Sequence, residues 1–166
     1  KGSSIMKLRD LPLDEIFSET QKVYDEFVRE EMPPQCYGWR SWKMEKIIER
    51  LCPDLKYIGG IKNVEGDFIH TDGTVYESKC VQDAFKLHKG SIKIPPITIT
   101  NFRGWSYEKE FANMVLLVWD IPRRCVGMFP PDAVQRHLKR TDSTTSTQLT
   151  IEEAIDYVSL NDLFSL

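Results

Sequence analysis

What this 166-residue sequence is short of narrows its function before any motif does. It has no long apolar run. The longest, Met114 to Trp119, falls far below the roughly 20 residues that span a bilayer, and no apolar stretch near the N-terminus resembles a secretion signal. A reducing, cytoplasmic location with no membrane partner is therefore expected. The four cysteines, Cys36, Cys52, Cys80 and Cys125, form no CxxC and no Cys/His pair at zinc spacing, so free buried thiols are expected rather than a zinc site or a disulfide framework. Positive charge is also scarce. With 22 Lys and Arg against 25 Asp and Glu, the net charge is −3, which excludes a generally basic coat for nucleic acid but permits a basic cleft on an acidic body. There is no internal repeat, no Walker loop, no GxGxxG and no Ser/His/Asp arrangement.

What is present is an ordinary globular mixture, 41% hydrophobic and 28% charged, expected to form one domain over residues 1–166. Ile16, Phe17, Val23, Tyr24, Phe27 and Val28 recur at helical spacing and predict an N-terminal helix over about 14–31, with an acidic outer face placed away from any substrate. A second helix is expected from a Ser41 cap to about Cys52, with Met44, Ile47, Ile48 and Leu51 as its apolar stripe and Pro53 as its stop. Glu45 and Glu49 lie one turn apart on its flank. Strands are expected at 55–58, 97–100, 114–119 and 125–129, and a helix after Pro131. The Ser/Thr-rich stretch 141–150 reads as a flexible loop, and 151–166 as an acidic amphipathic helix.

The stretch Gly66 to Cys80 draws the rest together. Phe68-Ile69 and Val75-Tyr76 are strand formers on either side of Asp72-Gly73, which predicts a β-hairpin. A two-residue loop would place Asp67 and Glu77 on opposite faces. A three-residue loop, Thr71-Asp72-Gly73, would pair His70 with Thr74 and Asp67 with Glu77, so that Asp67, Glu77 and Lys79 share one face. The second is preferred, because it puts glycine where a positive φ is required. Two carboxylates facing each other across a sheet repel, and a divalent cation with a taste for hard oxygen ligands, Mg²⁺ above all, is the natural way to join them. The plainer alternative is a solvent-facing hairpin with a weak Glu77–Lys79 charge pair.

Asp67, nine residues, then Glu77-Ser78-Lys79 resembles the D…ExK signature of the PD-(D/E)xK nuclease superfamily, which includes type II restriction endonucleases. Gly66 stands where the residue before the aspartate varies in that superfamily, and the Pro53-Asp54 pair lies too far upstream to be the motif. The resemblance covers about 41–140. It implies an α+β (α/β) fold with a central mixed β-sheet flanked by helices and an αβββαβ core. It further implies that Asp67 and Glu77 hold Mg²⁺, with Mn²⁺ able to substitute, and that the Ser78 carbonyl joins them. Lys79 is expected as an electrostatic and positioning group for the attacking water. Glu45, from the helix before the sheet, is expected as a third carboxylate, with a surface pairing to a neighbouring lysine as its alternative. Lys86, His88, Lys89 and Lys93 form a cluster suited to DNA phosphates, and Arg103 lies in an aromatic turn suited to packing or to base reading.

The function expected is thus a Mg²⁺-dependent endodeoxyribonuclease, making sequence-specific double-strand cuts in DNA as a homodimer. The alternatives are a nuclease of the same fold in repair, recombination or a mobile element, and a non-catalytic nucleic-acid-binding module.

Overall fold

The computed structural model describes residues 6–33, 37–59, 66–81, 97–100, 114–132, 146–149 and 151–161. Two helices lead into a six-stranded mixed sheet, giving an α+β architecture. Helix α1, Leu13–Arg29, buries Leu13, Ile16, Phe17, Thr20, Tyr24 and Phe27, the three- and four-residue spacing of a single apolar stripe. Asp14 and Glu15 complement the exposed amides of its first turn. Helix α2, Tyr37–Leu51, buries Arg40, Met44 and Ile48. It starts before the expected Ser41 cap. The reason is tertiary: Arg40 lies inside the helix–helix contact, its guanidinium 4.2 Å from the centre of the Tyr24 ring. Arg50 of α2 also pairs with Glu19 of α1.

The sheet contains β1 (Leu55–Tyr57), β2 (Phe68–His70), β3 (Val75–Val81), β5 (Met114–Asp120), β6 (Cys125–Phe129) and β8 (Asp156–Ser159), in the order β1-β2-β3-β5-β6-β8. Neighbours are antiparallel except β3 and β5, which run parallel with Glu77 opposite Leu116 and Lys79 opposite Val118. All residues of β5 and β6 are buried, as the continuous apolar run Met114 to Trp119 demands of strands covered on both faces. The helices pack on the face bearing Phe68, Tyr76, Leu117 and Trp119, where the Phe17 and Trp119 rings meet edge to face at 5.8 Å.

Two expectations fail at the C-terminal end. Residues 151–161 are not helical: a short 3-10 turn, Ile151–Glu153, leads into strand β8. The free edge of β6 decides this. The Ile155 amide donates to the Met128 carbonyl at 2.7 Å, and β8 then pairs along β6 with Val158 buried, while Ile155 is left 45% exposed instead of joining an apolar helical stripe. Likewise the stretch expected as a flexible loop over 141–150 contains strand β7, Ser146–Leu149, paired antiparallel with β4, Ile97–Thr100. A Thr-rich tract suits a pleated backbone once a partner strand is at hand. The helix expected after Pro131 begins at residues 131–132, and its remainder lies outside the described residues.

Cys52, Cys80 and Cys125 are free thiols. Among the described residues, no helix is long and apolar enough to cross a membrane.

Candidate active site

The turn between β2 and β3 fixes the site. The Gly73 amide donates to the His70 carbonyl at 2.8 Å and the His70 amide to the Thr74 carbonyl at 2.9 Å, closing a three-residue loop. Gly73 has φ +93°, the left-handed conformation that this loop requires at its last position. Asp72 Oδ1 accepts from the Thr74 amide at 2.8 Å and steadies the loop from within. Phe68 therefore faces Tyr76, and Ile69 faces Val75.

The ladder ends at Phe68–Tyr76, and the next step carries the chemistry. Gly66 has φ +99°, and a Cβ there would lie 2.4 Å from Val75 Cγ1, so the residue before the aspartate has to be glycine. With the chain turned in this way, the Asp67 amide swings back to the Tyr76 carbonyl at 2.9 Å. Its carboxylate reaches across the strand to accept the Ser78 amide at 2.8 Å. Asp67 and Glu77 consequently converge, near enough for the charge of Asp67 to act on the Glu77 carboxyl group. Lys79 comes up on the same side, with Nζ 3.4 Å from Glu77 Oε2. Ser78, buried between them, contributes its amide to Asp67.

Glu45 joins this group from α2. It lies near enough to Asp67, Glu77 and Lys79 for their charges to act on its carboxyl group, and the side chain of Tyr57 is also close by. The four residues expected to form the site are thus brought together. The electrostatics of the group follow from burial and mutual repulsion. Burial first, then the Asp67 charge, pushes Glu45 up to about 8. Burial and the Asp67 charge likewise push Glu77 up to about 7, against the pull of Lys79. Asp67 is also raised by burial, partly offset by the Ser78 amide and Lys79. Three acids held this way resist ionising together, and a cation is the kind of partner that would let them.

The donors at hand are carboxylate oxygens, the chemistry that a small hard cation takes, and Mg²⁺ typically needs only one or two of them and keeps several waters. Among the described residues, no three His, Cys, Asp or Glu side chains stand at ligand geometry about one point.

The residues expected to touch DNA, Lys86, His88, Lys89, Lys93 and Arg103, lie outside the described residues. Two contributors escape a reading of the sequence alone. Tyr57 lies close to Glu45, and a single tyrosine at a strand end carries no spacing signal. Gly66 looks like an ordinary loop glycine until Val75 is seen against it. Compared with known proteins, the chain matches no family model and has no significant similarity to a curated protein.

Proposed function

We propose that this chain is a Mg²⁺-dependent endonuclease that hydrolyses phosphodiester bonds in double-stranded DNA. The observation that carries the reading is the convergence of Asp67, Glu77, Lys79 and Glu45, acids that burial keeps from ionising together beside one ammonium group. The order of elements is compatible with it: α2-β1-β2-β3, with β5 parallel to β3, matches the helix, three strands and fourth strand of an αβββαβ core, while the segment between β3 and β5, where that core has its second helix, contains strand β4 and otherwise lies outside the described residues.

In this reading Asp67 and Glu77, with Glu45 in support, hold the cation. When bound, the metal would polarise the phosphate and lower the pKa of a coordinated water. The Ser78 amide fixes one Asp67 oxygen, so that carboxylate presents a single orientation. Lys79 offsets the Glu77 charge at 3.4 Å and places a positive group where negative charge builds up on the phosphate oxygens. In this reading Lys79 serves to orient the attacking water and to stabilise the charge that builds up on the phosphate. Cutting both strands of a symmetric site would require a second copy of the chain.

The test is incubation of the purified chain with supercoiled plasmid in Mg²⁺, Mn²⁺ or EDTA. Metal-dependent linearisation with defined fragments is expected. Smearing would argue against sequence specificity, and an intact plasmid under every condition would leave at most a binding module.

A further inference from the structure

Strands β3 and β5 run parallel and end together, at the pair Val81 and Asp120. Beyond those ends, α1, the first turn of α2 and the turn after β5 line a cleft of about 480 Å³. The space outside the carboxyl ends of parallel strands is where open α/β sheets bind their ligands. Arg40, in that first turn of α2, is only 7% exposed, and its guanidinium lies over the face of the Tyr24 ring. Arg123 reaches the cleft from the turn after β5, where its amide and Nη1 both donate to the fully buried Asp120, at 3.1 and 3.3 Å. One carboxylate thus ties down both its backbone and its side chain. Tyr24 is 5% exposed, and its hydroxyl is buried with no hydrogen-bond partner among the described residues. The Cys80 thiol lies close but donates to Met44 Sδ at 2.7 Å, and sulfur is a weak acceptor. Buried hydroxyls are normally satisfied, so this one calls for a partner that arrives through the cleft.

We propose that this cleft binds a phosphate group, held by the guanidiniums of Arg40 and Arg123 and by the hydroxyl of Tyr24. A guanidinium carries its donors in a rigid planar fork, which matches phosphate oxygens in pairs while its flat face stacks on an aromatic ring. The positive end of the α2 dipole adds to the attraction, since Arg40 stands in the first turn. Two carboxylates bear on the cleft. Asp120 is enclosed and taken up by Arg123, and Asp25 is exposed at the mouth, where Gln21 donates to its Oδ1 at 2.9 Å and water screens it. The volume exceeds what a bare phosphate fills. Val28, 76% exposed, and Pro122 give the cleft an apolar side, suited to the sugar or base of a nucleotide. A free mononucleotide and a nucleic-acid strand present the same phosphate chemistry. No residue of the acid cluster lines the cleft, so the inference does not depend on the nuclease reading.

The experiment is titration calorimetry of the full chain in EDTA, which keeps metal chemistry out of the result, with inorganic phosphate, thymidine monophosphate and a short DNA duplex as probes. Inorganic phosphate is expected to bind, and the mononucleotide to bind more tightly. Tyr24→Phe keeps the ring under Arg40 and removes only the hydroxyl, so phosphate should bind about tenfold more weakly, the lower end for a hydrogen bond to a charged group. Its melting temperature should stay at or above that of wild type, because a buried polar group is removed without loss of packing. Arg123→Gln should weaken phosphate binding by about tenfold or more, with a lower melting temperature because the charge also answers Asp120. Displacement of the mononucleotide by the duplex assigns the cleft to a nucleic-acid strand, and failure of the duplex to displace it assigns the cleft to a free nucleotide. Absence of phosphate and mononucleotide binding in the wild-type chain overturns the proposal. So does wild-type affinity in Tyr24→Phe, even where Arg123→Gln binds less, since the anion would then rest on a surface guanidinium outside the cleft.

Discussion

Within a single sheet, the β5–β6 pair and the β2–β3 hairpin solve opposite problems. Strands β5 and β6 are buried along their whole length and almost wholly apolar, with Leu116, Leu117, Val118, Trp119, Val126 and Met128 fully enclosed. Their one enclosed acid, Asp120, is answered locally by the amide of Arg123 at 3.1 Å and its guanidinium at 3.3 Å. The hairpin instead draws Asp67 and Glu77 together, with Glu45 from α2 and Lys79 beside them. Asp120 is matched on the spot, whereas the acids of this cluster are held back from ionising by burial and by one another. The apolar strands supply the burial energy that allows the hairpin to hold them.

The largest expected effect breaks the contrast at the hairpin. Glu77→Ala, which removes a carboxylate and the partner of Lys79, should reduce plasmid cutting by at least about 10³-fold. Circular dichroism and melting should stay close to wild type, since no apolar packing is lost. Retained cutting would remove Glu77 from the site. At the other end of the sheet, Leu117→Ala should lower unfolding free energy by roughly 2–5 kcal/mol in urea titrations, because a fully buried side chain leaves a cavity. A change within error there would mean that β5 is not the support described here.

The third prediction uses pH. Glu77 and Glu45 in the folded chain hold their protons to about 7 and about 8, against 4.5 when unfolded. Over that interval the folded chain binds more protons than the unfolded one, so stability falls as pH rises. The metal-free protein should therefore melt several degrees lower at pH 8.5 than at pH 5, and Mn²⁺ should restore most of the difference at the higher pH. A metal-free melting temperature that instead rises with pH across this window would contradict the burial of these acids. The smallest effect is local. Gly73 has open space around the position of a Cβ, so Gly73→Ala should cost only the strain of a positive φ, about 1 kcal/mol, with the hairpin register unchanged.

Much of the sheet was legible because its signals are local. Asp72-Gly73 between strand formers fixes a three-residue loop, and the loop fixes the register that turns Asp67 and Glu77 toward each other. The apolar run of β5 is long enough to identify a strand covered on both sides. The C-terminal part was misread for the opposite reason. Asp156 to Ser159 carry residues compatible with either periodicity, and the open edge of β6 chose the strand. The Thr-rich stretch that holds β7 looked like a loop until β4 lay beside it.

By itself, then, the sequence determined the hairpin, the spacing of acid, acid and lysine, and the two helices ahead of the sheet, since each depends on neighbours a few residues apart. The tertiary structure alone decided that Asp67 folds back onto the Ser78 amide, and that Gly66 has to be glycine because Val75 packs against it. These are contacts between residues distant along the chain or set by the twist of the backbone, and no local pattern of residue types encodes them.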